Sequence, residues 1–395
     1  MKPMELMLFL GSGVSYESGL ARVGEITRSL LNDEWYSHTD ELFYHGPEPN
    51  PVFRSQNWVL RIQPFLKTLK SYADEYSTMK TGTDANYEDL YYLVRQLMDE
   101  YQGRVENPAI LRFALEIRAK LKDLCTPMPL TGEEVTSERL VRRASEFIQC
   151  VVWHMLYSDK PPTGMDIIKE LALSQDVERL NIFTLNHDLL VENLFDSNKI
   201  QFADGFGPQD GQVCFFEPSC YETGPKVRLF KLHGSINWFQ FRSEKDGTTI
   251  DRFGRPRHSD FWHLKDSTGN ILRNLRGIPV FLSGTYNKML DYGSGIHAEM
   301  HFRFYQLLKE TDIMVMSGYG WNDPGINTRL MEWIYSSDKK RLYLLHRNPE
   351  AEIRDKSKSG MWHSYEDLEK DGRLIPIEKW LSELNRQELF QTIGV

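Results

Sequence analysis

The chain has 395 residues, of which 41% are hydrophobic and 12% aromatic, enough apolar material for a large core without disulfide support. Its formal net charge of −9 argues against a general polyanion-binding protein, because affinity for nucleic acid depends on phosphate neutralisation by Lys and Arg. The four cysteines include no C-x-x-C pair, and neither a leader segment nor an apolar run of about 18 residues is present. We therefore expect a soluble, cytoplasmic protein with no metal site, no membrane span and no direct nucleic-acid contact.

Short, nearly continuous apolar runs that end in small or polar residues recur along the chain. Runs of this length are typical of strands buried on both faces of a parallel sheet. The expected fold class is therefore α/β, a Rossmann-like parallel sheet covered by helices, with a large helical insert. In chain order, the predicted strands lie at 5–13, 180–188, 227–235, 278–284, 312–320 and 341–348.

The long segment between the first two predicted strands has apolar residues at helical spacing. We expect residues 31–159 to form a helical insert module, and residues 1–30 and 160–350 to form the sheet domain. Residues 351–395 indicate a C-terminal helical tail. The clearest helical spacing lies over 85–101, 107–124 and 137–157.

The first predicted strand runs into a turn rich in glycine and serine, GSGVSYESG at 11–19. A strand, such a turn and a helix start offer backbone N–H groups and a positive dipole end to a phosphate. The third glycine comes only at Gly19, so the spacing departs from the G-x-G-x-x-G dinucleotide fingerprint. Taken alone, the pattern is equally typical of a turn that binds nothing.

Polar residues also follow the next predicted strands. Asn186 and Asp188 end one of them, and His233 ends another. The carboxyl ends of parallel strands meet at one sheet edge, where open α/β proteins build their ligand sites. Structural roles stay open for each residue: Asn186 as a turn residue, Asp188 as the cap of the following helix, and His233 as a buried structural histidine.

Three of these stretches together resemble the sirtuins. Residues 11–20, GSGVSYESGL, are similar to the family's nucleotide-binding signature G-A-G-x-S-x-x-S-G-I. Residues 184–188, TLNHD, resemble its T-Q-N-x-D, and residues 232–235, LHGS, resemble its histidine-glycine motif. The segment 317–324, SGYGWNDP, resembles the G-Y-G-x-x-D pattern of bacterial sirtuin-like domains of anti-phage defence systems.

The resemblance implies that NAD binds at these strand ends as a substrate. Asn186 would orient a water molecule or the ribose hydroxyls, Asp188 would stabilise positive charge near the ribose, and His233 would act as general base. The implied contacts with NAD are Gly11, Ser12, Gly13, Ser15, Ser18, Gly19, Thr184, Gly234, Ser317, Gly318, Tyr319, Asp323 and Asn348.

The chain departs from deacetylating sirtuins in two places. No cysteine follows Cys220, so the zinc module of two C-x-x-C pairs that comes after the histidine-glycine motif is missing. The segment after Gly19 reads LARVGEITRSLL instead of the I-P-x-F-R loop. The resemblance therefore implies an NAD+ glycohydrolase that yields nicotinamide and ADP-ribose, or a cyclic variant, and that depletes NAD+ in anti-phage defence by abortive infection.

An enzyme that empties its host of NAD+ needs restraint when idle. We expect this from homo-oligomerisation, from a partner subunit such as a HerA-type ATPase, or from a phage-derived trigger. Two alternatives are a non-catalytic regulatory subunit that binds NAD or ADP-ribose, and a zinc-free protein deacylase. A dehydrogenase shares the sheet type, but the misplaced third glycine and the strand-end Asn and His favour glycosidic cleavage.

Overall fold

A computed structural model describes residues 4–37, 42–47, 57–81, 84–105, 107–245, 248–257, 261–284, 288–356 and 361–394. The chain forms two compact units. The first comprises Met1–Leu20, Leu156–Leu282 and Met289–Val395, and the second comprises Ala21–Met155 and Ser283–Lys288. The second unit covers most of the predicted helical insert, and residues 351–395 lie in the first unit.

Strands and helices alternate along much of the described chain. The strands are β1 (Met4–Leu10), β2 (Trp35–Ser37), β3 (Phe43–His45), β4 (Val177–Thr184), β5 (Phe202–Ala203), β6 (Phe206–Asp210), β7 (Val213–Phe216), β8 (Val227–Lys231), β9 (Phe239–Lys245), β10 (Thr248–Pro256), β11 (Leu264–Lys265), β12 (Ile271–Asn274), β13 (Ile313–Ser317), β14 (Arg341–Leu345) and β15 (Leu374–Ile377). The α-helices are α1 (Val23–Leu31), α2 (Val59–Thr81), α3 (Tyr87–Tyr101), α4 (Pro108–Lys120), α5 (Ser137–Leu156), α6 (Asp166–Leu173), α7 (Leu190–Ser197), α8 (Cys220–Thr223), α9 (Lys288–Asp291), α10 (Gly295–Glu310), α11 (Pro324–Tyr335), α12 (Pro349–Lys356), α13 (Tyr365–Lys370) and α14 (Arg386–Ile393).

A seven-stranded sheet in the order β15-β14-β13-β1-β4-β8-β5 carries the first unit, and its neighbouring strands are parallel. Alternate residues of β1 face two separate hydrophobic clusters. Met7 and Phe9 pack in one, and Leu6, Leu8 and Leu10 pack in the other. Burial on both faces explains the continuous apolar runs. The predicted fold class, a Rossmann-like parallel sheet covered by helices, is confirmed.

One predicted strand, 278–284, is wrong. Phe281 forms an isolated bridge to Gly234, and the rest of the segment does not pair as a strand. Its backbone instead bonds to the chain after β8: Val280 N–H donates to the Trp238 carbonyl at 2.7 Å, and Leu282 N–H donates to the His233 carbonyl at 2.8 Å. The apolar side chains are buried because this segment covers the end of β8.

Two further strands of the sheet were not predicted. β5 has only two residues, too short to show a pattern. β15 comes from the segment expected to be a helical tail, and it pairs with β14 through Leu342 and Leu374. Its sequence, LIPI, contains Pro376, which an edge strand tolerates because one side of an edge needs no ladder donor.

A second sheet has six strands in the order β11-β12-β9-β10-β7-β6. Its strands β6 and β7 come before β8 in the chain, and β9 to β12 come after it. The pairs are antiparallel. Four of its strands, β9 to β12, lie in the stretch of chain after His233.

The second unit contains helices α1 to α4, most of α5 and the hairpin β2-β3. Asn86 caps α3, its side chain accepting a hydrogen bond from Glu88 N–H at 2.8 Å, while Asp89 bonds back to Asn86 N–H. Helices dominate the insert, as its apolar spacing predicts. Across the described residues of both units, no helix is both long enough and apolar enough to cross a bilayer.

Candidate active site at the carboxyl edge of the sheet

Four adjacent strands of the parallel sheet bring the sequence motifs to one edge. In the order β13, β1, β4 and β8, they end at Ser317, Leu10, Thr184 and Lys231. The register keeps these ends level, because Leu10 pairs with both Ser317 and Thr184, and Thr184 pairs with Lys231. The chain order reverses between β1 and β13, which makes this edge the topological switch point where open α/β sheets bind ligands.

The glycine-rich turn packs directly on the loop after β13. Gly11 N–H donates to the Ser317 carbonyl at 3.0 Å, and Gly13 N–H donates to the Gly318 carbonyl at 2.9 Å. A Cβ on Gly11 would lie 2.4 Å from the Gly318 oxygen, so only glycine allows this approach. The absence of side chains here lets two loops pack closely, and the N–H groups of Gly11 and Gly13 bond to protein carbonyls instead of pointing towards a phosphate.

The far end of the turn is tied to the segment before α6. The Ser18 hydroxyl accepts from Thr163 N–H at 2.9 Å, and Lys160 Nζ donates to the Gly19 carbonyl at 2.6 Å. Gly19 has φ +67°, a conformation that side chains disfavour. Ser18 and Gly19 therefore shape the turn.

A cavity of about 520 Å³ opens at the switch point. Pockets for small ligands span about 300–1,000 Å³, so a nucleotide-sized molecule fits this space. Of the residues expected to contact NAD, five lie in its wall. The lining residues are Ser12, Gly13, Val14, Tyr16, Glu17, Gly164, Ser317, Gly318, Tyr319, Gly320, Leu344, Leu345, His346, Glu352, Trp380, Leu381 and Ser382.

Asn186 lies buried between the glycine turn and β4. Its Nδ2 donates to the Gly11 carbonyl at 3.1 Å and to the Ser15 hydroxyl at 3.1 Å. Ser15 in turn donates its single proton to Asp188 Oδ2 at 2.8 Å, so it can only accept from the amide. This chain of bonds fixes which way the amide faces. Its oxygen, Oδ1, is buried and has no hydrogen-bond partner among the residues that the structure describes.

Asp188 is a buried carboxylate with several donors around it. Besides Ser15, it accepts at Oδ1 from Leu190 N–H at 3.0 Å, so it also holds the start of α7. Burial raises the pKa of Asp188, while the nearby Lys231 ammonium and these hydrogen bonds oppose that rise. The helix-cap interpretation of Asp188 therefore describes a contact that it makes, and its role near the ribose stays a prediction.

Lys231, the last residue of β8, is a buried cation beneath this edge. Its side chain is 2% exposed, and its Nζ lies 2.8 Å from Glu192 Oε1. It also donates to the backbone carbonyls of His187 and Asp188. Lys231 therefore neutralises acidic groups under the loop that carries Asn186.

His233 is buried at the end of β8, and its Nε2 lies 3.0 Å from Asp323 Oδ2. The same nitrogen is 3.2 Å from the Tyr292 hydroxyl, which itself donates to Asp323 Oδ2. Gly234 follows with φ +79°, and a Cβ there would lie 2.3 Å from the Val280 oxygen. The histidine-glycine pair thus lets the chain turn sharply under the segment around Val280.

The structure separates the predicted residues into three groups. Ser12, Gly13, Ser317, Gly318 and Tyr319 line the cavity, while Gly11, Ser15, Ser18, Gly19, Thr184 and Gly234 shape the loops around it. Asn186, Asp188 and His233 are outside the lining: Asn186 and Asp188 are joined to the glycine turn through Ser15, and His233 contacts Asp323. The exposed Asn348 accepts from Ala351 N–H at the start of α12.

Sequence reasoning did not identify Lys231, Tyr292, His301, His346 or Trp380. A lysine within the apolar run VRLFKLH was a usable signal, because a buried lysine requires a partner. His297 and His301 are spaced i, i+4 on α10, so they share one helix face. Tyr292 and Trp380 lie far from every motif along the chain and carried no signal.

The fold and the site together define a doubly wound α/β protein with a ligand cavity at its switch point. Residues 180–367 match the family model of the SIR2-like domain. A search of curated protein sequences gives no significant match.

Among solved structures, the chain is similar to a sirtuin described in a study of substrate affinity, with 10% identity, a TM-score of 0.37 and coverage of 98% of this chain and 94% of that one. It is also similar to a mutant Sir2 homologue bound to 2′-O-acetyl ADP-ribose, with 11% identity, a TM-score of 0.37 and coverage of 99% and 93%. A complex of a Sir2 homologue with NAD gives 10% identity, a TM-score of 0.33 and coverage of 99% and 90%. At these values the ligands of those proteins do not transfer to this chain.

Within the described part of the chain, no group of three or more His, Cys, Asp and Glu side chains is arranged to hold a metal ion.

Proposed function

We propose that this chain is an NAD+ glycohydrolase. The match to the SIR2-like domain supports NAD-dependent chemistry at the family level. The observation that carries the proposal is the buried Oδ1 of Asn186, which has no partner within the described part of the chain and is held in one orientation at the edge where His233 also lies. A buried acceptor without a partner is costly, and a hydroxyl or water of a bound ligand would satisfy it.

In the proposed reaction, water replaces nicotinamide at the ribose carbon. The bond from that carbon to the nicotinamide nitrogen breaks, its electron pair leaves with neutral nicotinamide, and the ribose develops oxocarbenium character. Asn186 Oδ1 accepts a hydrogen bond from the attacking water or a ribose hydroxyl, and His233 takes a proton. The balanced outcome is nicotinamide, ADP-ribose and one proton from NAD+ and water.

The cavity residues suit the rest of the nucleotide. Ser12, Gly13 and Gly318 present small groups where a pyrophosphate would pass, and Tyr16 and Trp380 offer aromatic surface for the adenosine half. Glu17 and Glu352 also line the space, and the described residues of its lining include no Lys or Arg. We expect NAD+ to bind more tightly than NADP+, whose extra phosphate would meet carboxylates.

We also propose the biological setting that the sequence resemblance implies: a cytoplasmic effector of anti-phage defence that depletes NAD+ and causes abortive infection. Homo-oligomerisation, a HerA-type ATPase subunit or a phage-derived trigger would control it. The G-Y-G-x-x-D segment at 318–323 supports this setting.

The test compares purified wild type with Asn186→Ala and His233→Ala, measuring nicotinamide and ADP-ribose by liquid chromatography and NAD+ content in cells that express each protein. Both variants should lose at least about 10²-fold in turnover. Asn198→Ala is the matched control, because Asn198 is an exposed amide at the end of α7. A wild type that binds NAD+ but consumes none, in solution and in infected cells, would replace this proposal with the binding-subunit alternative.

A further inference from the structure

The Asp323 carboxylate lies at the centre of a buried hydrogen-bond cluster that the sequence did not reveal. Oδ1 accepts from Gly325 N–H at 3.0 Å and from Ile326 N–H at 3.1 Å, which caps α11. Oδ2 accepts from the Tyr292 hydroxyl and faces His233 Nε2 at 3.0 Å. One side chain thus joins the start of a helix to the histidine at the end of β8.

These contacts determine where His233 carries its proton. An ionised carboxylate only accepts hydrogen bonds, and the Tyr292 proton already points to Asp323. The Tyr292 oxygen, 3.2 Å from Nε2, can therefore also only accept from it. Both neighbours require a donor at Nε2, so neutral His233 is protonated there and its basic lone pair lies on Nδ1.

Two of the described titratable groups around His233, His297 and His301, are neutral at neutral pH. Burial lowers the pKa of His297 to about 4 and the pKa of His301 to about 2, with the charge of His233 as the next cause in each case. His301 stacks on the Tyr292 ring with centroids 3.7 Å apart, and the His187 ring lies 6.3 Å from that of His233. Arg276 and Arg329 are the further charges that act on this cluster.

We propose that Asp323, held by Tyr292, is a positioning residue that fixes the proton of His233 on Nε2, makes Nδ1 the proton-accepting atom, and stabilises the imidazolium formed in turnover. The part that concerns turnover rests on the proposed hydrolase; the tautomer does not. Asp323 then acts through His233 rather than by touching the nucleotide.

The test uses Asp323→Asn, which keeps the helix cap because an asparagine oxygen accepts the same backbone N–H groups. Its amide NH₂ would face His233 instead, a donor where the wild type has an acceptor. Nitrogen-15 spectra of histidine-labelled full-length protein, with His233→Gln for assignment, report the tautomer directly. We expect Nε2–H in the wild type, a shift to Nδ1–H in the variant, and titration of His233 at lower pH.

Turnover supplies the second readout. With the wrong tautomer, Asp323→Asn should lower kcat by about 10²–10⁴-fold while binding of ADP-ribose changes little, and the acid limb of its pH profile should move to lower pH. Asp166→Asn is the matched control, since Asp166 is an exposed carboxylate in the first turn of α6 that pairs with Lys169.

If Asp323→Asn does not fold, Tyr292→Phe supplies the test of the proposal. Loss of the hydroxyl leaves the carboxylate with one donor fewer, so His233 should titrate at higher pH, the opposite direction to Asp323→Asn. An unchanged tautomer in folded Asp323→Asn, or an unchanged His233 titration in folded Tyr292→Phe, would overturn the proposal. If the tautomer changes as expected but the wild type consumes no NAD+, the role of Asp323 and Tyr292 in placing the His233 proton is supported, and the proposed hydrolase activity is wrong.

Discussion

Replacement of Lys231 by methionine tests the electrostatic support of the candidate site. The lysine is 2% exposed and its partner Glu192 is 9% exposed, so both charges lie out of water. Lys231→Met keeps the length and apolar stem of the side chain but leaves Glu192, and the nearby Asp188, without their cation. A buried pair broken on one side costs about 3–5 kcal/mol in the free energy of unfolding.

The expected loss depends on pH. Burial raises the pKa of Asp188, and Lys231 is the first influence that opposes this rise, so the variant should raise that pKa further. A carboxyl group with a raised folded-state pKa destabilises the fold above that pKa, and the destabilisation disappears as the pH falls towards the unfolded value. The stability gap between variant and wild type should therefore narrow from pH 7 to pH 5.

Urea unfolding followed by the fluorescence of the buried Trp238 and Trp321 measures both effects. With an m value of about 3 kcal/mol/M, the midpoint at pH 7 should fall by about 1–2 M. The double variant Lys231→Met with Glu192→Leu should recover most of the loss, because apolar replacement of a whole buried pair is close to neutral. A single variant that loses less than about 1 kcal/mol, equally at both pH values, would refute the reasoning.

Two further predictions concern steric fit and thiol reactivity. Gly11→Ala should abolish measurable binding of ADP-ribose and lower the melting temperature, because its Cβ would lie 2.4 Å from the Gly318 oxygen. Gly24→Ala is the matched control: nothing lies within 4 Å of a Cβ at this position in helix α1, so this variant should raise the melting temperature. Calorimetry measures both melting temperatures, and equal changes in the two variants would contradict the packing argument. Burial raises the pKa of the Cys150 thiol to about 12, so iodoacetamide at pH 8 should label Cys150 only after unfolding. Peptide mass spectrometry measures the labelling, and rapid labelling of the native protein would contradict this prediction.

Local patterns were sufficient for the five inner strands of the parallel sheet and for the polar residues that follow three of them. β1, β4, β8, β13 and β14 were predictable because a strand buried on both faces must be apolar throughout, and such runs are visible in sequence. The polar residues that follow them were predictable as neighbours, since parallel strands bring their carboxyl ends to one edge. Where an apolar run is buried without pairing, as at 278–284, the same signal is misleading.

Contacts between residues distant in sequence decided the remaining features. The sequence resemblance implied only a contact between Asp323 and NAD, and the fold alone places Asp323 against His233 and Tyr292. The glycines of the turn suggested a phosphate cradle, whereas the N–H groups of Gly11 and Gly13 bond to Ser317 and Gly318 at the end of β13, some 300 residues later in the chain. The sequence determines which residues can donate or accept a hydrogen bond and where glycine leaves out a side chain. The tertiary structure alone determines the partners, because a hydrogen bond depends on the distance and angle between two groups and not on their separation along the chain.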